Sequence, residues 1–452
     1  MDLFSCSKCQ QTVFFENVRC TFCGSTLAYL PDRRVMTSIE PVPENESSKP
    51  EVEGTVLFQA LAKNLKGARY RLCANSIDYD VCNWAVAKDD PNPYCEACRL
   101  NEVIPKLSEK GNIGAWRRLE IAKRRLFYTL FELGLPVESR TERPENGLVF
   151  QFKEDLNGVK VFTGHNDGVI TVNVAEADDP FREKLRKDMG EGYRTVLGHF
   201  RHEIGHYYWD RLIKDTKWVA AYRALFGDEQ VDYDESLKRH YAQGAPADWP
   251  ERFVSEYATM HPWEDWAETW AHYLHMVDTL GTARSYGLVL APRPITGGER
   301  KTLTTRSIDF DDFDALLKGW LPISVALNSL NRSMGLNDPY PFVLMPRVVE
   351  KLRFVHDVVE HWNAEETELD DVVAHWAKLS PPAVGPEAPS ADQPHVKEPL
   401  PQQPAATSSA ATGRAQAAPA ANGAANQGSG AEKAASSEPS RDKLPFVDTQ
   451  PT

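Results

Sequence analysis

The chain has 452 residues, 42% hydrophobic and 26% charged, which is too long for one ordinary domain; 11 Trp and 19 Phe supply a sizeable core and exclude disorder throughout. A net charge of -14 argues against broad capture of nucleic acid or anionic membrane. No apolar stretch reaches the roughly 18 residues of a membrane helix, and the opening MDLFSCSKCQ lacks the basic-then-apolar pattern of a secretory leader, so the expected location is the cytoplasm.

Residues 1–36 read as a zinc ribbon. All eight cysteines of the chain lie before residue 100, and in a cytosolic protein C-x-x-C units point to metal rather than disulfides. Cys6-x-x-Cys9 and Cys20-x-x-Cys23 form two knuckles that can present four thiolates to one tetrahedral Zn²⁺. Gly24 follows the second pair, where the backbone must turn tightly around sulfur. Residues 37–53 are polar and Pro-containing and read as a linker. Residues 54–100 hold Cys73, Cys82, Cys95 and Cys98, and one metal explains these four better than buried free thiols. Four thiolates leave no open position, so both centres are expected to be structural. The acidic balance of the first hundred residues favours a protein-facing or structural role over phosphate binding.

Residues 101–378 carry continuous, helix-dominated apolar periodicity. The spacing of Leu119, Ala122, Leu126, Leu130 and Leu133 predicts an amphipathic helix over 114–133. Arg117, Arg118, Lys123, Arg124 and Arg125 crowd that helix and read as a solvated basic face. LVFQFKED, GVKVFTG and VITVNVAEADD follow as three strands separated by turns. Helices are expected over 191–213, 217–226, 264–279, 311–332, 345–362 and 366–378. A small sheet followed by helices is an α+β pattern. Residues 379–452 collapse to Ala, Pro, Ser, Gln and Gly and read as a disordered tail.

The chemistry concentrates in His202-Glu203-Ile204-Gly205-His206, an H-E-x-x-H match. On a helix, positions i and i+4 share a face, so both imidazoles can reach one Zn²⁺. Glu203 then lies beside the metal, placed to take a proton from water attacking a carbonyl. A strand over 169–174 lies upstream, where it could line the cleft and pair with extended substrate. His199, one turn before His202, reads as a packing or supporting residue.

A catalytic zinc needs three protein ligands and one open position. The third ligand is expected in Ser255–Trp270, where Pro262 suits a helix start and Glu264 and Glu268 share a face. One of the two can bind zinc while the other hydrogen-bonds a ligand histidine. Asp265 is an alternative ligand. His261 could line the cleft, His272 and His275 suit packing or the helix surface, and Trp263, Trp266, Trp270 and Tyr273 read as core.

HEIGH with a downstream EDWAE resembles the gluzincin zinc peptidases. That resemblance implies Glu264 as ligand and Glu268 as its supporter. The segment also resembles the catalytic domain of anthrax lethal factor, which implies that Tyr257, seven residues before Glu264, stabilises the oxyanion. Over roughly residues 1–375 the chain is similar to a bacterial family of zinc-binding metallopeptidases with an N-terminal zinc ribbon. The implied activity is a zinc-dependent endopeptidase with one catalytic and two structural Zn²⁺ and a protein or peptide substrate. The competing expectations are a zinc-ribbon adaptor and a nucleic-acid-associated protein, each using a peptidase-like fold for binding.

Overall fold

A computed structural model of the chain describes residues 1–43, 56–156, 158–188, 195–292 and 302–379. The expected tail and most of the expected linker lie outside the described residues. The fold is α+β, as the alternation of periodicities predicts.

Two short strands, β1 (Phe4–Ser5) and β2 (Thr12–Val13), pair antiparallel beside the first cysteine knuckles. Five further strands form one antiparallel sheet in sequence order: β3 (Thr26–Leu30), β4 (Val35–Pro41), β5 (Phe58–Ala60), β6 (Arg69–Leu72) and β7 (Ala85–Ala87). Strand β4 therefore occupies the first residues of the expected linker. Helix α1 (Ala74–Tyr79) starts directly after Cys73. The sheet thus spans sequence from both cysteine groups. An aromatic cluster ties this sheet to the next long helix: Phe15 lies 5.0 Å from Tyr29 and 5.4 Å from Tyr128, and Tyr29 lies 5.0 Å from Trp84.

Tyr128 belongs to α2 (Asn112–Glu132), the predicted amphipathic helix. Its basic run is not a solvated face. Lys123 and Arg124 are buried, and Arg117 and Arg125 pair with Asp80 and Glu16. Glu120 on the same helix pairs with Lys123 and Arg124, but Asp80 and Glu16 come from residues distant in sequence, which local charge counting cannot see.

Strands β8 (Asn101–Val103), β9 (Val149–Lys153), β10 (Gly164–Asn166) and β11 (Val169–Asn173) form the second sheet, in the order β10-β11-β9-β8. β8, β9 and β11 are parallel; β10 is antiparallel to β11. This order corrects the expectation for residues 169–174. Strand β11 is flanked on both sides, so its backbone groups are already paired, and the sheet edge beside the H-E-x-x-H helix is β10. The expected strand over 158–164 is instead mostly an irregular loop. Asn173 pins it, donating from Nδ2 to Val161 O (2.8 Å) and Asp155 Oδ1 (3.1 Å).

Helices then dominate: α3 (Asp179–Asp188), α4 (Val196–Tyr208), α5 (Val219–Phe226), α6 (Tyr233–Gln243), α7 (Trp249–Arg252) and α8 (Pro262–Tyr286). After a short pairing of β12 (Val289–Leu290) with β13 (Leu303–Thr304) come α9 (Phe313–Ser333), α10 (Pro346–Glu360) and α11 (Glu366–Leu379). Helix α4 starts where Thr195 Oγ1 accepts from Gly198 N (2.9 Å), an N-cap hydrogen bond. It ends where Lys214 N reaches back five residues to Trp209 O (3.0 Å), loosening the last turn. The helical run therefore starts at Val196 and reaches Ile213, the predicted end, through this wider turn; residues 191–194 lie outside the described residues. Helix α8 begins at Pro262 as expected; His261 caps it by accepting from Trp263 N (3.1 Å). Among the described residues no helix is long and apolar enough to cross a membrane.

Candidate metal centres

Three groups of side chains converge to within 4.8 Å: Cys6, Cys9, Cys20 and Cys23; Cys73, Cys82, Cys95 and Cys98; and His202, His206 and Glu264. These are the expected ligand sets.

In the first centre, Cys6 and Cys23 sulfurs are 3.6 Å apart, as are those of Cys9 and Cys20. In the second, Cys82 and Cys95 sulfurs lie 3.7 Å apart. Four thiolates on a tetrahedral Zn²⁺ with bonds of about 2.3 Å would sit about 3.8 Å from one another. The spacing fits the metal. The two knuckles of the first centre close alike: Gln10 N bonds to Cys6 O (2.8 Å) and Gly24 N to Cys20 O (2.9 Å). Both residues are left-handed, at φ 62 and 72, so glycine relieves strain at the second knuckle that Gln10 tolerates at the first.

The second centre is enclosed. All four of its cysteines are buried, and Arg124 lies behind it, donating to Val81 O (2.8 Å). Four thiolates around Zn²⁺ leave two net negative charges in a low-dielectric place. Arg124 and Lys123 answer them, with Glu120 between: Lys123 Nζ is 3.0 Å and Arg124 3.8 Å from its carboxylate. Burial alone would raise the Cys82 thiol, but its sister sulfurs and Arg124 hold it well below the usual range.

The third centre is built by two helices. His202 Nε2 and His206 Nε2 on α4 lie 3.2 Å apart, and Glu264 Oε2 on α8 approaches them at 2.9 and 3.4 Å. Nitrogen and oxygen ligands on a tetrahedral zinc at about 2.0–2.1 Å would be spaced about 3.3 Å apart, so this donor set also fits the metal. His202 Nδ1 donates to Glu268 Oε1 (2.6 Å), which turns the Nε2 lone pair toward the shared point. Ser255 Oγ donates in turn to Glu268 Oε2 (2.7 Å). Burial disfavours the charge on Glu264, yet His206 and His202 hold its carboxyl well below the usual range. Burial drives His206 down, toward the neutral form a metal requires.

Glu203 is buried, next to His202 on α4. The Tyr257 ring lies 6.1 Å from His202, and its phenol is pushed far up by burial and by Glu264 and Tyr233. Asp265, the alternative ligand, turns away and pairs with buried Lys351 at 2.5 Å. His261 serves as helix cap rather than cleft lining. His272 packs inside, bonded through Nδ1 to Tyr340 (2.8 Å), and His199 lies 3.4 Å from Glu176.

Sequence reading missed four neighbours. Tyr233 on α6 donates its hydroxyl to Glu264 Oε1 (2.7 Å). Ser255 supports Glu268. Trp263, read as core, lies tilted against the His206 ring with centroids 3.8 Å apart. His165 on the edge strand β10 lies 6.3 Å from His206, and burial beside that histidine pushes its pKa down to about 3. The Ser at the head of SEYATMHPWEDWAE was a usable signal for Ser255; Tyr233 and His165 carry no local signal.

Gly205, between the two ligand histidines, lets the helices meet. A Cβ there would lie 3.1 Å from Ala267 Cα and 3.2 Å from Trp270 Cβ.

A family described as "Putative zinc-binding metallo-peptidase" matches residues 112–358. The chain belongs to this family. A zinc-ribbon domain matches residues 3–109, so the metallopeptidase region carries the ribbon in front of it. An uncharacterized protein of Mycobacterium bovis is 41% identical over 358 residues, covering 79% of this chain and 95% of the relative. Uncharacterized proteins of two Mycobacterium tuberculosis strains match to the same extent. No solved structure matches.

Proposed function

We propose that this family member is a zinc-dependent endopeptidase acting on a protein or peptide. The observation that carries the reading is the convergence of His202, His206 and Glu264 with Glu203 next to a ligand on the same helix. Zn²⁺ held there would supply Lewis acidity toward a carbonyl and acidify a water. Glu203 takes that water's proton as it attacks and returns it to the leaving amine. Tyr257, kept protonated by its burial, donates a hydrogen bond to the oxygen that becomes negative. Glu268 and Ser255 hold His202 in the ligand tautomer. The two tetrathiolate centres have no open position and act structurally. The acidic chain supports a protein rather than a nucleic-acid substrate, and metal thiolates suit the reducing cytoplasm.

Native mass spectrometry of wild type beside His202→Ala tests the metal, with three zincs expected to fall to two. Two zincs in both proteins would remove the catalytic centre and favour an adaptor. Glu203→Gln is expected to keep three zincs and lose nearly all hydrolysis of a peptide library; retained turnover would sink the mechanism.

A further inference from the structure

The two oxygens of Glu264 have different neighbours. Oε2 faces His202 Nε2 at 2.9 Å and His206 Nε2 at 3.4 Å, while Oε1 accepts the Tyr233 hydroxyl at 2.7 Å. A phenol bonded to one oxygen holds the carboxylate to the other.

We propose that Tyr233 is a positioning residue that fixes the orientation of Glu264, so that Oε2 is presented beside the two histidines as the ligand oxygen. The inference rests on the metal site proposed above. Tyr233 is itself held. It is the first residue of α6, whose cap is fixed by Asp232 Oδ1 accepting from Glu235 N (2.8 Å). Its ring leans on His261 at 5.3 Å and meets Trp263 edge-on at 6.3 Å, two residues that begin α8. The loop into α6 and the start of α8 are tied again where His261 Nε2 bonds to Val231 O (3.0 Å). The hydroxyl is thus delivered from a different helix to a fixed point on the ligand. Tyr257 is one bond further out: its phenol hydrogen-bonds to that of Tyr233, which in turn bonds to the ligand carboxylate.

The test is the affinity of the third zinc in the full-length protein, read by chelator competition with native mass spectrometry. Tyr233→Phe is expected to weaken that zinc about tenfold. Tyr257→Phe, which removes the bond to Tyr233 but leaves the Tyr233–Glu264 bond in place, should change it by no more than about twofold, and both variants should keep the wild-type thermal midpoint once the third site is emptied. A Tyr233→Phe protein that holds the third zinc as tightly as wild type overturns the inference. So does one whose loss of affinity only follows a fall in that midpoint. Two zincs in the wild type would strike the metal site itself, and the inference with it. Three zincs in the wild type with an unaffected Tyr233→Phe would strike the inference alone.

Discussion

The two tetrathiolate centres use the same four ligands and the same sulfur spacing, yet they sit in different surroundings. Cys9 and Cys23 of the first are partly open to solvent, and its thiols bond to hydroxyls: Cys6 to Ser38 at 3.1 Å and Cys23 to Ser25 at 3.2 Å. The second is sealed, and its counter-charges are Arg124 and Lys123 from α2, the helix that also packs against α4. Solvent can screen the charge of the first centre. The charge of the second must be answered from inside, by the helix that supports the metallopeptidase region. One centre has two of its four cysteines in the core and two half-open to solvent; the other is wholly inside the core. Identical ligand chemistry therefore predicts different consequences on removal.

The sharpest way to break this contrast is Cys98→Ser. It should release the second zinc, unfold the region around α2 and abolish the third zinc, as read by circular dichroism and native mass spectrometry. A helix-rich protein that still holds the third zinc would show that the second centre is as peripheral as the first. Next is Arg124→Ala, which leaves Glu120 and the thiolates short of a buried positive charge. Urea unfolding should show a loss of about 3–5 kcal/mol. Cys9→Ser should release only the first zinc, with a stability loss of about 2 kcal/mol and the other two zincs retained. An effect equal to that of Cys98→Ser would erase the contrast.

The smallest step concerns pH and sets the third centre against the other two. Burial opposes charge on His202, but Glu264 and Glu268 outweigh it and raise its pKa well above the usual range when no metal is bound. Zinc must displace that proton. Affinity at the third site should therefore rise with pH, by up to about tenfold per unit, or ~1.4 kcal/mol. A chelator competition that gives the same affinity at pH 6 and pH 8 would refute the protonated His202.

Features written in local spacing were legible in the sequence. The knuckles, HEIGH and the Glu264–Glu268 pair each lie within one turn or loop, so residue separation fixes their geometry. What sequence could not give is order in space. Residues 169–173 are visibly a strand, but alternation does not tell an inner strand from an edge. The Arg and Lys residues of α2 are visibly a basic run, and Glu120 is a local partner one turn away, but Asp80, Glu16 and the thiolates are brought in by folding. Tyr233 reaches Glu264 across 31 residues of sequence and through a different helix, with no periodicity to mark it.

The absence of a side chain at Gly205 turns the third centre into a gauge. Two ligands come from α4 and one from α8, and the helices touch through Gly205 against Ala267 and Trp270. Metal–ligand bonds and backbone packing therefore set the same length. Gly205→Ala would wedge the helices by a few tenths of an ångström, and the metal would register it at once. The reverse also holds: loading the metal should stiffen both helices well beyond the cleft, out to the bond between Arg201 and Asp278 (2.6 Å), where slowed amide exchange would report it.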